Sequence, residues 1–186
     1  VDPSAGDNYA IRWASANGHA EVVKLLLKDV RVDPSSVDNY AIRYASANGY
    51  VEIVKSLLTD ERVDPSAGDN YAIRWASANG HVEVVKLLLK DGRVDPSSTD
   101  NYAIKRAATN GHTEVVKLLL ADDRVDPLAE DNFAIKKALK NDYEEIVKLL
   151  FKTGRIDPSA DNNYLIRMAS SNGYVEIVKS LLTDER

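Results

Sequence analysis

The sequence predicts an all-α solenoid in which six helix-turn-helix repeats stack along one axis. First, the 186 residues divide without remainder into six similar copies of 31 residues, and a fixed period of roughly 20–50 residues is typical of stacked repeats. Second, each copy holds two helical patterns separated by a turn signal. Third, the second pattern is apolar on most sides and needs neighbouring copies to cover it. We therefore expect one array over residues 1–186, with repeats 1–31, 32–62, 63–93, 94–124, 125–155 and 156–186.

The first helix of a repeat is read from residues 63–93. It follows a run of turn-forming Asp, Pro, Ser and Gly residues, and we expect Asp69 or Asn70 to cap it by accepting bonds from free N–H groups. The helix is predicted over Tyr71 to Ala78, with small residues on one face that allow another helix to approach. Gly80 ends it, since glycine adopts the left-handed conformation without steric cost. Repeat 5 has Asp142 in that position, which is a poorer choice.

The second helix is predicted over Val82 to Lys90. Its polar residues Glu83, Lys86 and Lys90 form one narrow stripe, and the remaining residues are Val and Leu. A helix that is apolar on most sides has to be covered on most sides. A lone repeat cannot do this, whereas a stack of repeats can.

The run from Asn79 to Leu89 resembles the second half of an ankyrin repeat, and it recurs in every copy with Tyr in place of His81 in three of them. The resemblance covers the whole chain and implies an ankyrin-like solenoid that binds proteins. The first half departs from the family, because Tyr71 to Arg74 replaces the usual Thr-Pro-Leu-His. The copies are also two residues shorter than the usual length of about 33, and the missing residues fall where the family has its β-hairpin finger. We therefore expect short turns or reduced β-fingers.

Composition excludes several classes of function. The chain has no cysteine, so thiolate metal sites and cysteine nucleophiles are absent, and its net charge of −5 argues against a nucleic-acid partner. No apolar run is long enough for a membrane span. We find no phosphate-binding loop and no Ser/His/Asp arrangement, and predict no enzyme activity, cofactor, metal or small-molecule substrate. The lack of cysteine fits the cytosol, but also an extracellular or viral fibre.

Four positions of the repeat have recurring residue types with competing interpretations. His19, His81 and His112 share one position that is Tyr elsewhere, so a local hydrogen bond at the inter-helix turn is favoured over a metal site. Two basic series run along the array, and internal ion pairs and bonds to carbonyls are favoured over binding of a polyanion. An aromatic series begins the first helices, and inter-repeat packing is its expected role. The first basic series is Arg12, Arg43, Arg74, Lys105, Lys136 and Arg167; the second consists of Arg31 and its equivalents; the aromatic series is Tyr9, Tyr40, Tyr71, Tyr102, Phe133 and Tyr164.

One position changes its chemistry from repeat to repeat, and it is the candidate contact with a protein partner. A packing position would not normally accept both Trp and Lys, and Trp, Tyr and Arg dominate binding energy at interfaces. The alternative is a partly exposed edge. The residues are Trp13, Tyr44, Trp75, Arg106, Lys137 and Met168. Repeats 4 and 5 break the pattern further at Leu128, Glu130 and Lys140, which marks a candidate local site there.

The terminal repeats lack the polar outer face that usually caps a free-standing array. The sequence across a junction of Arg186 with Val1 of another copy already occurs inside the chain, from Tyr50 to His81. We therefore predict a structural scaffolding array that is a segment of a longer array or a head-to-tail filament of copies, and the alternative is an interaction module that binds one protein on its concave face. The residues expected to stack between repeats or end to end are Tyr9, Ile11, Val22, Leu26, Tyr164, Ile166, Ile177 and Leu181.

Overall fold

The computed structural model describes residues 1–183, and within them it contains twelve helices and no strand. Arg186, which was predicted to close the sixth repeat, lies outside the described residues. Each repeat contributes a first helix and a shorter second helix. The first helices are α1 (Ala5–Ala16), α3 (Ser36–Ala47), α5 (Ala67–Ala78), α7 (Ser98–Thr109), α9 (Ala129–Lys140) and α11 (Ala160–Ser171). The second helices are α2 (Ala20–Leu26), α4 (Val51–Leu58), α6 (Val82–Leu89), α8 (Thr113–Leu120), α10 (Glu144–Phe151) and α12 (Val175–Leu182).

The helices form the predicted all-α solenoid. Each first helix packs against its own second helix and against the first helices of neighbouring repeats. One apolar core runs along the array, and the second helices face it as expected, since Val84, Val85 and Leu88 of α6 are fully buried. The predicted polar stripe lies on the surface, where Lys86 and Glu83 form an ion pair of 2.7 Å.

A tight turn replaces the β-finger of each repeat. In repeat 3 a carboxylate oxygen of Asp64 accepts hydrogen bonds from the backbone N–H of Ser66 at 2.9 Å and from its hydroxyl at 2.6 Å. This is the local bonding by which aspartate favours turns. The expectation of short turns is therefore confirmed.

The start of each first helix differs from the prediction. Gly68, Asp69 and Asn70 all lie in the left-handed region, with φ of 62°, 54° and 59°, and no side-chain hydrogen bond caps the helix. Regular right-handed helix begins at Tyr71, as predicted, but the cap assigned to Asp69 or Asn70 is wrong. Three consecutive left-handed residues occur at the same place in every repeat. Such a turn is costly for residues with a Cβ atom, so tertiary bonds have to hold it in place.

Candidate functional site

The first helices of repeats 1 to 4 carry an unbroken series of ring contacts, here called the aromatic stripe. Successive ring centroids lie 5.6, 6.2, 4.1, 5.6, 5.7 and 6.0 Å apart, and the contacts alternate between pairs within one repeat and pairs across a repeat junction. The predicted aromatic series and the predicted variable position thus merge into one surface. The stripe consists of Tyr9, Trp13, Tyr40, Tyr44, Tyr71, Trp75 and Tyr102.

The stripe is open to solvent along its length. Tyr9 is 58% and Trp13 is 41% exposed, and the rings from Tyr40 to Tyr102 are half-buried. Trp13 and Trp75 are the only tryptophans of the chain, so its tryptophan fluorescence originates entirely in the stripe.

Cationic side chains replace the rings in repeats 4 and 5, forming what we call the cationic patch: Arg106, Lys137 and Lys140. The guanidinium of Arg106 lies 5.0 Å from the ring centroid of Tyr102, and the ammonium of Lys137 lies 5.0 Å from that of Phe133. None of the three cations forms an ion pair with a described residue. In repeat 6 the equivalent residue, Met168, packs against the core instead, so the structure brings five of the six variable residues onto one open face.

The first basic series serves the left-handed turns. Arg12 donates from Nε to the carbonyl of Asp7 at 2.8 Å and from Nη2 to that of Gly6 at 2.9 Å, and its guanidinium lies 5.6 Å from the ring centroid of Tyr40 in the next repeat. In repeat 4, buried Lys105 pairs with Asp100 and with Glu130 of repeat 5. Five of the six cations are thus engaged internally, as the sequence led us to expect, whereas the exposed Arg167 has no hydrogen bond or ion pair with a described residue.

The second basic series closes the repeats. Arg93 donates from Nε and Nη2 to the two carboxylate oxygens of Asp91 at 2.9 and 2.6 Å, and from Nη1 to the carbonyl of Val63 at 2.9 Å. Hydrogen bonds from Arg93 lower the pKa of Asp91. In repeat 1 the equivalent bonds from Arg31 lower the pKa of Asp29 to about 2.

The shared histidine position connects repeats. Nε2 of His81 lies 3.0 Å from the carbonyl oxygen of Ala47, and that of His112 lies 3.0 Å from the carbonyl oxygen of Ala78. The predicted hydrogen bond exists, but its acceptor ends the first helix of the preceding repeat. His19 of repeat 1 makes no side-chain hydrogen bond with a described residue. No group of potential metal ligands occurs among residues 1–183.

The asparagine that the sequence assigned to helix capping instead connects successive repeats. The side-chain oxygen of Asn70 accepts a hydrogen bond of 2.7 Å from the backbone N–H of Asp95, and the same bond joins Asn8 to Asp33 and Asn101 to Asp126. The signal was present, because every repeat has asparagine at this position. Its partner lies 25 residues along the chain, however, and the local sequence gives no indication of that register.

The junction between repeats 5 and 6 differs from the others. A Cβ atom at Gly49 would lie 2.5 Å from the ring of His81 in the next repeat, which excludes a side chain there unless the neighbour moves. Repeat 5 has Asp142 in this position, and its carboxylate accepts a hydrogen bond of 2.6 Å from the hydroxyl of Tyr174. Burial, followed by this bond, raises the pKa of Tyr174 to about 12. Asp142 therefore makes a close, glycine-type junction impossible here.

Repeat 6 is accordingly displaced along this junction. The amide of Asn172 donates to the carbonyl of Leu139 at 2.7 Å, one residue earlier than its counterparts, such as Asn110 with Ala78. The side-chain oxygen of Asn132 is buried without a hydrogen-bond partner, beside a cavity of about 20 Å³ between the two repeats. Because a water molecule needs about 10–15 Å³ of such space, the cavity is large enough for one water.

The residues predicted to stack fall into two groups. Ile11, Ile177 and Leu181 are buried in the apolar core. The others are at least partly exposed on the two terminal repeats; they are Tyr9, Val22, Leu26, Tyr164 and Ile166. The prediction did not include Leu25 and Leu182, which are 66% and 72% exposed. No helix within residues 1–183 is both long enough and apolar enough to cross a membrane.

The comparisons with known proteins agree with this architecture. A family model described as ankyrin repeats (3 copies) matches residues 2–69, 42–131 and 104–186. No curated protein matches the sequence. Ankyrin repeats typically bind protein partners and are generally not catalytic. Since the matched segments together cover nearly the whole chain, this protein belongs to the ankyrin repeat family.

Proposed function

We propose that the chain is a protein-binding module whose contact surface is the aromatic stripe together with the cationic patch. The observation that carries the proposal is the unbroken series of ring contacts from Tyr9 to Tyr102, which stays accessible to solvent. Large exposed aromatic side chains have few rotatable bonds, so they lose little entropy when a partner covers them. Rings that already contact one another are further restricted before binding.

The residue types of this surface are those that contribute most to binding. Trp, Tyr and Arg dominate the energetics of protein interfaces, and the variable position holds Trp13, Tyr44, Trp75 and Arg106. The first basic series in repeats 1 to 5, in contrast, is engaged by carbonyl groups and carboxylates of the array itself. Variation at one exposed position beside a constant scaffold is what a binding surface requires.

Selection of binding peptides tests this proposal. We would select peptides from a random displayed library on the full chain and follow the tryptophan fluorescence of the stripe during titration. Trp75→Ala should weaken binding at least about tenfold, because it removes a central ring. The matched control is Val175→Ala, an apolar residue on α12 that is 59% exposed and far from the stripe in sequence. Equal affinity of the parent and Trp75→Ala would refute the proposal.

End-to-end stacking of copies as a scaffold is the second candidate function. Val22 is 47% exposed in repeat 1, whereas its equivalent Val84 in repeat 3 is fully buried by the preceding repeat. The last repeat of a second copy presents the side chains that would cover it. Analytical ultracentrifugation of this chain should then show a mass that increases with concentration, and Val22→Lys should abolish the increase. A constant monomeric mass for the parent chain would overturn this candidate.

A further inference from the structure

We infer that the bound partner segment is bipolar: apolar or aromatic side chains cover the aromatic stripe, and Asp or Glu carboxylates meet the cationic patch. The inference rests on the proposed binding function, and adds the chemistry of the partner and its orientation on the array.

The variable position changes class at one point of the array. Repeats 1 to 3 have Trp13, Tyr44 and Trp75 there, each in contact with other rings, and repeats 4 and 5 have Arg106 and Lys137. Because the backbone around this position repeats, the change is one of surface chemistry rather than of fold. A segment that follows the first helices from repeat 1 to repeat 5 therefore crosses from an apolar surface to a charged one.

The charges of the patch are available to a partner. Neighbouring Lys105 pairs with two carboxylates, Asp100 and Glu130, and Lys136 pairs with Asp131 and Asp161, so each cluster keeps one surplus negative charge. Arg106, Lys137 and Lys140 form no ion pair with any residue of the described range. The three positive charges of the patch exceed the two surplus negative charges of those clusters, so the patch is a local positive surface on a chain whose net charge is −5.

The geometry of the patch suits carboxylates. The guanidinium of Arg106 lies over the ring of Tyr102 at 5.0 Å, which restricts its orientation, and a planar guanidinium can bind a carboxylate through two parallel hydrogen bonds. Lys137 and Lys140 line an open hollow together with Phe133 and Tyr164. The carboxylates that also line it, Glu130 and Asp131, are engaged by Lys105 and Lys136.

The test compares the parent chain with a double variant, Arg106→Trp with Lys137→Trp. Repeats 1 and 3 already have Trp in this position, so the variant keeps a side chain that the scaffold accepts; its thermal melting curve is the control for folding. Peptides selected on the parent chain should combine an apolar block with acidic residues. They should bind the double variant at least about tenfold more weakly, and their affinity for the parent should fall as salt rises, because exposed charge pairs are screened. Peptides selected on the double variant should show no acidic enrichment.

The outcomes separate the inference from the proposed function. Peptides that lose affinity for Trp75→Ala but show neither acidic enrichment nor salt dependence would refute the bipolar partner and leave the binding surface intact. Peptides unaffected by Trp75→Ala, or a selection that yields no peptide, would refute the proposed function itself. A short single-stranded oligonucleotide serves as a second anionic probe. If the chain bound this oligonucleotide more tightly than the selected peptides, the assignment of the partner as a polypeptide would be overturned.

Discussion

The asparagine of the left-handed turn provides a direct measure of what couples one repeat to the next. Asn70 and Asn132 have nearly the same backbone, with φ of 59° and 61°. The side-chain oxygen of Asn70 accepts a hydrogen bond of 2.7 Å from the N–H of Asp95, whereas that of Asn132 is buried without a partner. Both asparagines have the same strained left-handed backbone, but only Asn70 makes the hydrogen bond to the next repeat. Asn132→Ala is therefore a matched control for Asn70→Ala.

The expected magnitudes follow from this difference. Replacing asparagine by alanine in the left-handed region costs about 1 kcal/mol in both variants, because asparagine tolerates that conformation better. Asn70→Ala also leaves the partly buried N–H of Asp95 without its acceptor, which costs about 1–3 kcal/mol more. We expect Asn70→Ala to lose about 2–4 kcal/mol in total. Asn132→Ala should lose about 1 kcal/mol or less, since it removes an unpaired polar atom.

Urea unfolding followed by circular dichroism measures both losses, and the slope of each transition shows whether the array still unfolds as one unit. Hydrogen exchange offers a second readout, because the amide of Asp95 should lose protection in Asn70→Ala. If the two variants were equally destabilised, the inter-repeat hydrogen bond would contribute nothing and the reasoning would be refuted.

Three further substitutions test other features of the array. Val37→Gly should stabilise the chain by about 1 kcal/mol in urea unfolding, because a β-branched residue with φ of 54° is strained and its side chain is 46% exposed; a loss of stability would show that the turn is not strained. Leu88→Ala should cost about 2–5 kcal/mol, as its side chain is fully buried, whereas Leu25→Ala, at a 66% exposed residue, should leave the melting temperature almost unchanged; similar melting curves for the two would contradict the burial. Asp91 has a lowered pKa because of Arg93, so the stabilisation from this pair is present above the ordinary pKa of 3.8 and is lost as the pH falls through the lower folded-state value. Asp91→Asn should therefore be less stable than the parent at pH 7, and the two should converge in acid; a constant gap would exclude this linkage.

The features that the sequence predicted are those set by local chemistry. The apolar pattern from Val82 to Lys90 requires burial on most sides, and Leu88 is indeed inaccessible to solvent. Gly80 ends its helix with φ of 77°, a conformation that glycine adopts freely. These are short-range properties, and the sequence displays the apolar pattern in all six copies and the glycine in five of them.

The left-handed turn could not be predicted, because even Gly, Asp and Asn adopt this conformation as single residues and not in runs of three. Val37 and Thr99 occupy a conformation that β-branched residues avoid, so local preference indicates another structure. Bonds to the next repeat hold the turn, such as that from the backbone N–H of Asp64 to the side-chain oxygen of Asn39 at 2.7 Å. Tertiary contacts thus override the local preference.

The sequence predicted one position of the repeat as the candidate binding site, but not the continuous surface to which that position belongs. The sequence singled out Trp13 and its equivalents by their chemical variation, but it assigned the neighbouring tyrosines to packing between repeats. The contact of Trp13 with Tyr40, at 6.2 Å between ring centroids, joins the two series. That contact depends on the rotation of one repeat against the next, which no single repeat specifies.

By itself, the sequence determined the period, the two helices of each repeat and the need for stacking, because each follows from the size, polarity and backbone preference of neighbouring residues. Only the tertiary structure decided which side chains meet across a junction: Asn70 with Asp95, the rings of the aromatic stripe, and Asp142 with Tyr174. Such pairs depend on the relative placement of groups about 25 to 32 residues apart in the chain, and that placement is fixed by packing over the whole interface.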